Sequence, residues 1–524
     1  MKKINLLLYK LIIKNDFKKI LIWLISIVGI TLVSADLYPS LYETEEAILN
    51  YANIMINPAM KGLLGSAYPI DAFNHTVIFS QELLLFTLIA VAVMNIYFSI
   101  KFTKVSEEAG LIEIITSKPV NRFTYLTSSL VVIIGINLII FLSVSIGLII
   151  INIPSSTTLG AIIYGLILAL GGLFFALVGF VATKLFNTAS AAYNFSYLIL
   201  LVSYLIRAIG DVGDNFISLI SPLGLLLNVQ VFYKNNLIYI TIILLLIIIL
   251  FALSLYLYKN IDFGSGIYNS SKGRTKASKF SKNSFGLIFR LEKIQILVWT
   301  VSLFILTAAF GAIFKEFEAF YEIEIVKQFL GSNTANYSEV IIIYILKIIT
   351  LFSLIPALFI ILKLTKEEAN SFLDNIYSRL YSRIKYFLKH IIFAFLFSII
   401  IQLIIVLGMW ITGREFILEV MSFSKLIQTG LSFIPAIWLI FSLACILYSI
   451  GIKYSKIIWV YIAFSFVALY LENVLKLPKA IMYFSSFYHI DPLETNILTS
   501  TIMIICSMIL IVSSLFIYKN RNLN

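Results

Sequence analysis

Apolar residues in this chain fall in runs of membrane length rather than in the shorter patterns of a soluble domain. About 20 mainly apolar residues, as a helix, cross the roughly 30 Å of bilayer hydrocarbon. Runs of that order occur at 20–38, 83–102, 124–151, 159–182, 190–207 and 237–258, and again at 295–314, 340–363, 384–411, 428–450, 457–472 and 497–518. A backbone in lipid must satisfy its own hydrogen bonds, as a helix or a closed barrel, and the alternating segments of a barrel are absent. The pattern therefore predicts an all-α integral membrane protein of about twelve transmembrane helices in two tandem six-helix halves. Residues 1–262 form the first half with an inner-surface lead-in helix, 263–284 a cytoplasmic linker, and 285–524 the second half. Glu107-Glu108 and Glu367-Glu368 are separated by the same interval as Tyr258-Lys259-Asn260 and Tyr518-Lys519-Asn520, as a duplication requires. A duplicated membrane domain commonly places a pathway or binding site between its halves.

Composition agrees with that class: 60% of residues are hydrophobic, 13% are charged and the mean hydropathy is +0.99. Soluble globular domains are about 45–50% apolar. With the N-terminus inside, most of the 39 Lys and Arg, including Lys2, Lys3, Lys10, Lys14, Lys18, Lys19 and the run from Lys272 to Lys293, fall on one side. The positive-inside rule then predicts a multi-pass protein of a bacterial-type plasma membrane with both termini cytoplasmic. Anionic headgroups of the lipid bilayer account for the net charge of +12, and no nucleic-acid partner is needed. The first apolar run lacks a small-residue cleavage site and is expected to stay as an anchor. Cys445 and Cys506 fall inside predicted spans and read as packing residues.

Ahead of the first span, Ile4, Leu7, Leu8, Leu11 and Ile12 recur at helical spacing opposite Lys3, Lys10 and Lys14, which predicts an amphipathic helix lying along the inner surface. Phe285, Ile288 and Phe289, with Arg290 and Lys293, repeat the pattern more weakly. Gly264 to Ser284, rich in Ser, Lys and Gly, reads as a flexible connector.

The charged loop from Glu107 to Arg122 carries the best clue to function. Leu111, Ile114 and Ile115 share one face of a short predicted helix, Glu107, Glu108 and Glu113 border it, and Pro119 stops it. Such a helix offers a partner an apolar ridge ringed by charge. This loop resembles that of the permease subunits of type-2 ABC exporters, and most nearly the double-length permeases of tetronasin-type antibiotic exporters. Glu107, Glu108, Gly110, Glu113, Pro119 and Arg122 match the pattern. In the second half Glu367 and Glu368 are kept and Asp374 and Arg383 stand near the acidic and basic positions, but Asn370 replaces the Gly and Leu380 the Pro. Ser221-Pro222-Leu223, echoed by Asp491-Pro492-Leu493, is a further family-like feature. The resemblance implies that these residues form coupling helices docked on a separate cytoplasmic ATP-binding subunit, in two copies, which binds ATP and Mg. It also implies outward transport of a small hydrophobic or amphiphilic substrate.

No Gly-Lys dipeptide occurs, so the phosphate-cradling loop G-x-x-x-x-G-K-[ST] is absent and no cofactor site is expected in this chain. Energy for transport would come from another polypeptide or a gradient. His75, His390 and His489 are far apart, and neither cysteine has a metal-ligand spacing, so no metal ligand or catalytic residue is assigned. Gly165, Ala169, Gly172, Ala176 and Gly179, with Ala161, form a small-residue stripe on the fourth span, suited to close helix packing or to a sliding contact between halves. Lys347 is a candidate intramembrane polar site, able to pair with Glu339 or to snorkel to headgroups. Arg207, Asp36, Glu82 and Glu415 read as interfacial, and Asn95, Asn137, Asn194 and Gln402 as hydrogen bonders between helices. Two other readings stand beside the exporter. A major-facilitator-type secondary transporter has the same span count but a Gly/Asp/Arg-rich motif where this chain has paired acids. The other is a non-transporting membrane sensor or scaffold.

Overall fold

The computed structural model describes residues 2–66, 68–111, 122–262, 264–268, 283–320, 337–378, 382–470, 479–490 and 497–521. Among these residues the chain is helical, with no strand and one isolated bridge between Phe186 and Tyr268. It divides into two compact units, Met1–Gly273 and Arg274–Asn524.

The first unit is built from α1 (Lys2–Leu41), α2 (His75–Ile100), α3 (Arg122–Ile151), α4 (Thr158–Leu185), α5 (Ala189–Val212) and α6 (Leu237–Asn260). Asn74, Thr157, Thr188 and Asn236 precede α2, α4, α5 and α6, and each side-chain oxygen accepts a backbone N–H of the first turn. That satisfies part of the unpaired donor set at a helix start. The most enclosed helix is α4, with 83% of its apolar window buried against 17% for α6. It packs on α2, α3, α5 and α6.

The small-residue stripe explains how. A Cβ at Gly165 would lie 2.8 Å from the Phe141 carbonyl oxygen of α3, and one at Gly172 would lie 2.5 Å from Asn95 Nδ2 and 2.8 Å from a Val91 methyl carbon of α2. Ala169 and Ala176 are buried on the same helix, and Gly179 abuts Ser99 of α2. These contacts give the close helix packing that the spacing of the stripe predicts.

The second unit contains α7 (Ser284–Phe320), α8 (Tyr337–Ala369), α9 (Arg383–Val420), α10 (Ile434–Ile450, after a short helix Phe423–Ser432), α11 (Ile458–Tyr470) and α12 (Ile497–Asn520). Here α7 lies along α9, α8 packs on α9, and α10 packs on α12. The tight approach is between α7 and α9. A Cβ at Gly408 would lie 2.9 Å from the Phe304 carbonyl oxygen and one at Gly311 2.5 Å from that of Met409, while Thr412 Oγ1 donates to Ala308 O at 2.6 Å.

One sequence expectation changes, at the lead-ins. Among the described residues, eleven helices are long and apolar enough to cross a bilayer. The exception is α11, at 13 residues, about 20 Å of helix rise; the end of its predicted span, from 471, lies outside the described residues. The lead-ins are not separate helices. With no proline before Pro39, α1 runs unbroken for 40 residues, about 60 Å, and α7 runs for 37.

In each unit an amide side chain joins the second span to the third. Asn95 and Asn137 form a reciprocal pair, with Nδ2-to-Oδ1 distances of 3.1 and 2.6 Å, and each amide also donates to its own helix, at Val91 O and Ile133 O. In the second unit Gln402 Nε2 donates to Thr350 Oγ1 at 2.7 Å and Ser353 Oγ donates to Gln402 Oε1 at 3.4 Å.

Candidate functional site: the anchored root of each acidic loop

In the first unit, α2 widens into a π-turn at Lys101–Val105 and closes with the short helix Ser106–Glu108. Glu107 pairs with the buried Lys104 at 3.3 Å and accepts the Gly264 backbone N–H from the segment after α6. Glu108 Oε1 accepts the Ala189 N–H at 2.7 Å, in the first turn of α5, where a carboxylate meets both an unpaired donor and the positive end of the helix dipole. The acid pair thus ties the end of α2 to the start of α5 and the end of α6. Around it, Thr183 Oγ1 and Tyr258 Oη lie 2.8 Å apart, Lys184 Nζ sits 4.8 Å from the Tyr258 ring centre, and Ile267 and Tyr268 donate backbone N–H groups to Lys184 O and Leu185 O. Gly110 follows at φ +72, its N–H donating to Glu107 O at 3.0 Å, a left-handed conformation that glycine adopts without steric cost. Leu111 is exposed beyond it.

The second unit anchors its loop root with different groups. Glu368 accepts the Tyr448 hydroxyl of α10 at 2.9 Å and pairs with Arg521, just beyond α12. Arg521 Nη1 donates to Tyr448 O at 2.6 Å, and the guanidinium lies 5.4 Å from the ring centres of Tyr448 and Tyr518. Tyr518 and Tyr377 hydroxyls meet at 3.0 Å, and Glu367 accepts from Tyr386 at 3.4 Å. Burial, followed by the neighbouring Tyr518, raises the Tyr377 hydroxyl well above the usual phenol range, so it stays protonated, while burial lowers the Arg521 guanidinium from its ordinary value. Ser371 takes the left-handed turn at φ +56, donating to Glu368 O at 2.9 Å, and opens the short helix Phe372–Tyr377. That turn costs Ser371 strain that Gly110 avoids. Phe372, Asp374 and Arg383 are exposed, and Arg383 Nη1 donates to Arg521 O at 3.2 Å.

Each of the four loop carboxylates bonds within its own unit, although Glu108 is itself exposed, and Leu111, Phe372, Asp374 and Arg383 are among the exposed groups at the roots. Glu113 and Pro119 lie outside the described residues, as does Asp491-Pro492-Leu493, and Arg122 is the first described residue of α3. Ser221 caps the short helix Pro222–Leu227. Lys347 is half-buried on α8, and Glu339 pairs with Lys425 at 2.5 Å. Arg207, near the end of α5, turns into the protein. It is fully buried, bonded to Asp211 at 3.3 Å and to the carbonyls of Lys61, Gly62 and Leu63. It thus pins the segment before α2 to the end of α5. Glu82 accepts hydroxyl bonds from Tyr38 and Tyr42.

Sequence reasoning missed two further pairs. Asp16 of α1 is bound by Lys101 at the start of the π-turn, and Glu292 of α7 is bound by Lys363 of α8 at 2.7 Å. The available signal was a lysine a few residues ahead of each acid pair, facing an acid on each lead-in.

Residues 282–519 match the family model described as the C-terminal domain of the multidrug efflux system permease Rv1217c. A 284-residue stretch, 54% of this chain and 49% of the relative, is 29% identical to the multidrug efflux system permease protein Rv1217c of Mycobacterium tuberculosis (strain ATCC 25618 / H37Rv). The chain is similar to this permease over half its length. It likewise spans about half the length of that curated relative. The model match runs through α7 to α12 and includes Glu368, Tyr448 and Tyr518.

Proposed function

We propose that this chain is the membrane-spanning subunit of an ATP-driven exporter that moves a small hydrophobic or amphiphilic compound, of the antibiotic class, out of the cell. Similarity to a multidrug efflux permease supports transport. The observation that carries the ATP-driven reading is the anchored root of each acidic loop: Glu107 and Glu108 in one unit, and Glu368 in the other, join the loop-bearing helix to the ends of two more helices. A push on either loop would reach three helices at once, as a coupling element requires. In this reading two copies of a separate ATP-binding subunit dock at Glu107–Arg122 and Glu367–Arg383, meeting exposed groups that include Glu108, Leu111, Phe372 and Asp374. ATP and Mg bind on the partner. Coupling needs two conformations of this chain that differ in affinity for the nucleotide-bound partner.

The test is affinity purification of the tagged chain from native membranes, followed by assay of ATP hydrolysis. A co-purifying polypeptide with vanadate-sensitive ATPase activity, lost on Phe372→Asp with the chain still inserted, is expected. Recovery of the chain with no nucleotide-hydrolysing partner would reject the reading.

A further inference from the structure

Each unit carries, one turn or two from its acidic loop, an acid–lysine pair joining the lead-in part of its first helix to its second. In the first unit, Asp16 sits on the buried stripe of α1 with Ile12 and Ile20, and its carboxylate meets Lys101 Nζ; Lys19 Nζ is 3.7 Å from the same oxygen. Lys101 also lies 5.5 Å from the Tyr97 ring centre, and Tyr97 stacks on Tyr193 of α5. In the second unit, Glu292, 2% exposed, meets Lys363 at 2.7 Å, and the same ammonium donates to Leu291 O at 2.8 Å. The chemistry is repeated although the local backbone is not, because Lys101 opens a π-turn and Lys363 sits in a regular α-helix. π-turns are rare and concentrate at functional sites. A charge withdrawn from water is costly without its partner, so each pair holds its two helices together while both charges are present.

We propose that Asp16–Lys101 and Glu292–Lys363 are a repeated latch that makes each lead-in helix and the loop-bearing second span move as one piece during transport. These are positioning residues. They touch no substrate in this scheme and act by carrying displacement of the loop root into α1 and α7. The inference rests on the ATP-driven reading above, and it adds that the lead-ins are moving parts of the transport cycle rather than passive anchors.

The test uses the full chain with its co-purified partner in vesicles, reading efflux of a fluorescent amphiphile per ATP hydrolysed. Glu292→Ala and Lys363→Ala should each lower that ratio about tenfold, in the range of coupling free energies between linked sites, with ATP hydrolysis retained. The reversed pair Glu292→Lys with Lys363→Glu should return it to within about threefold of the original. Glu292→Gln, which keeps an acceptor for the lysine, should fall between and serves if the alanine variants do not fold. Normal flux per ATP in the single variants overturns the latch, as does a monodisperse reversed pair that stays uncoupled. Failure of the ATP-driven reading shows separately, as flux without ATP in the unmodified protein; the latch is judged only on variant-to-unmodified ratios.

Discussion

The two units perform the same task at the loop root with different chemistry. The first uses backbone donors: Ala189 N–H for Glu108 and Gly264 N–H for Glu107. The second uses side chains, with Arg521 and Tyr448 converging on Glu368. Their interiors differ as well. In the first, α4 is a glycine-lined centre against which α2 and α3 close; in the second, α10 has no glycine between Ile434 and Ile450, and the close backbone approach moves to α7 against α9. In both units the end of the second helix is joined to the end of the sixth, while the other partner is the start of α5 in the first unit and the end of α10 in the second.

The largest effect should separate the two roots. Glu368→Ala leaves the partly buried Arg521 without its carboxylate, at a cost toward the lower end of the about 3–5 kcal/mol of a buried pair, whereas Glu108→Ala removes one bond from an exposed carboxylate to a backbone N–H at about 0.5–1.5 kcal/mol. Thermal unfolding in detergent should show the Glu368 variant clearly less stable; equal losses would erase the distinction. Next come the crossings. Gly172→Leu should destabilise by about 1–3 kcal/mol through overpacking, lowering folded yield on size-exclusion chromatography, and Gly408→Leu should do the same in the second unit. In α10 the equivalent sensitivity is not expected at an exposed position such as Ile450; a comparable loss for Ile450→Ala would blur the contrast.

The smallest difference should be at the amide cross-links. Asn137→Leu removes the donor to the buried Asn95 Oδ1, while Asn95 Nδ2 keeps Val91 O, and should cost about 1 kcal/mol. Gln402→Leu should cost less, because Ser353 keeps its bond to Thr350 O at 2.7 Å. A double-mutant cycle over Asn95 and Asn137 measures the first directly, and a coupling near zero would contradict the reciprocal pair.

Much of this was legible in the sequence because lipid imposes length and period. The helices follow the apolar runs, and the stripe of α4 follows its four- and three-residue steps. Less legible was which way a charged side chain turns. Glu107 and Glu108 read as outward handles, yet their partners, Lys104, Gly264 and Ala189, include positions far along the chain that periodicity cannot bring together. Arg207 read as interfacial because it closes a span, and only the fold places the carbonyls of Lys61, Gly62 and Leu63 around it. The lead-ins read as surface helices because their amphipathic pattern is the same whether a helix lies flat or continues into a span.

The most direct measurement is flux in vesicles holding the purified chain, with and without its co-purified partner, supplied either with hydrolysable ATP or with an ion gradient alone. The account predicts movement of an amphiphilic dye only when partner and ATP are both present. Full-rate movement by the chain alone on a gradient would contradict it.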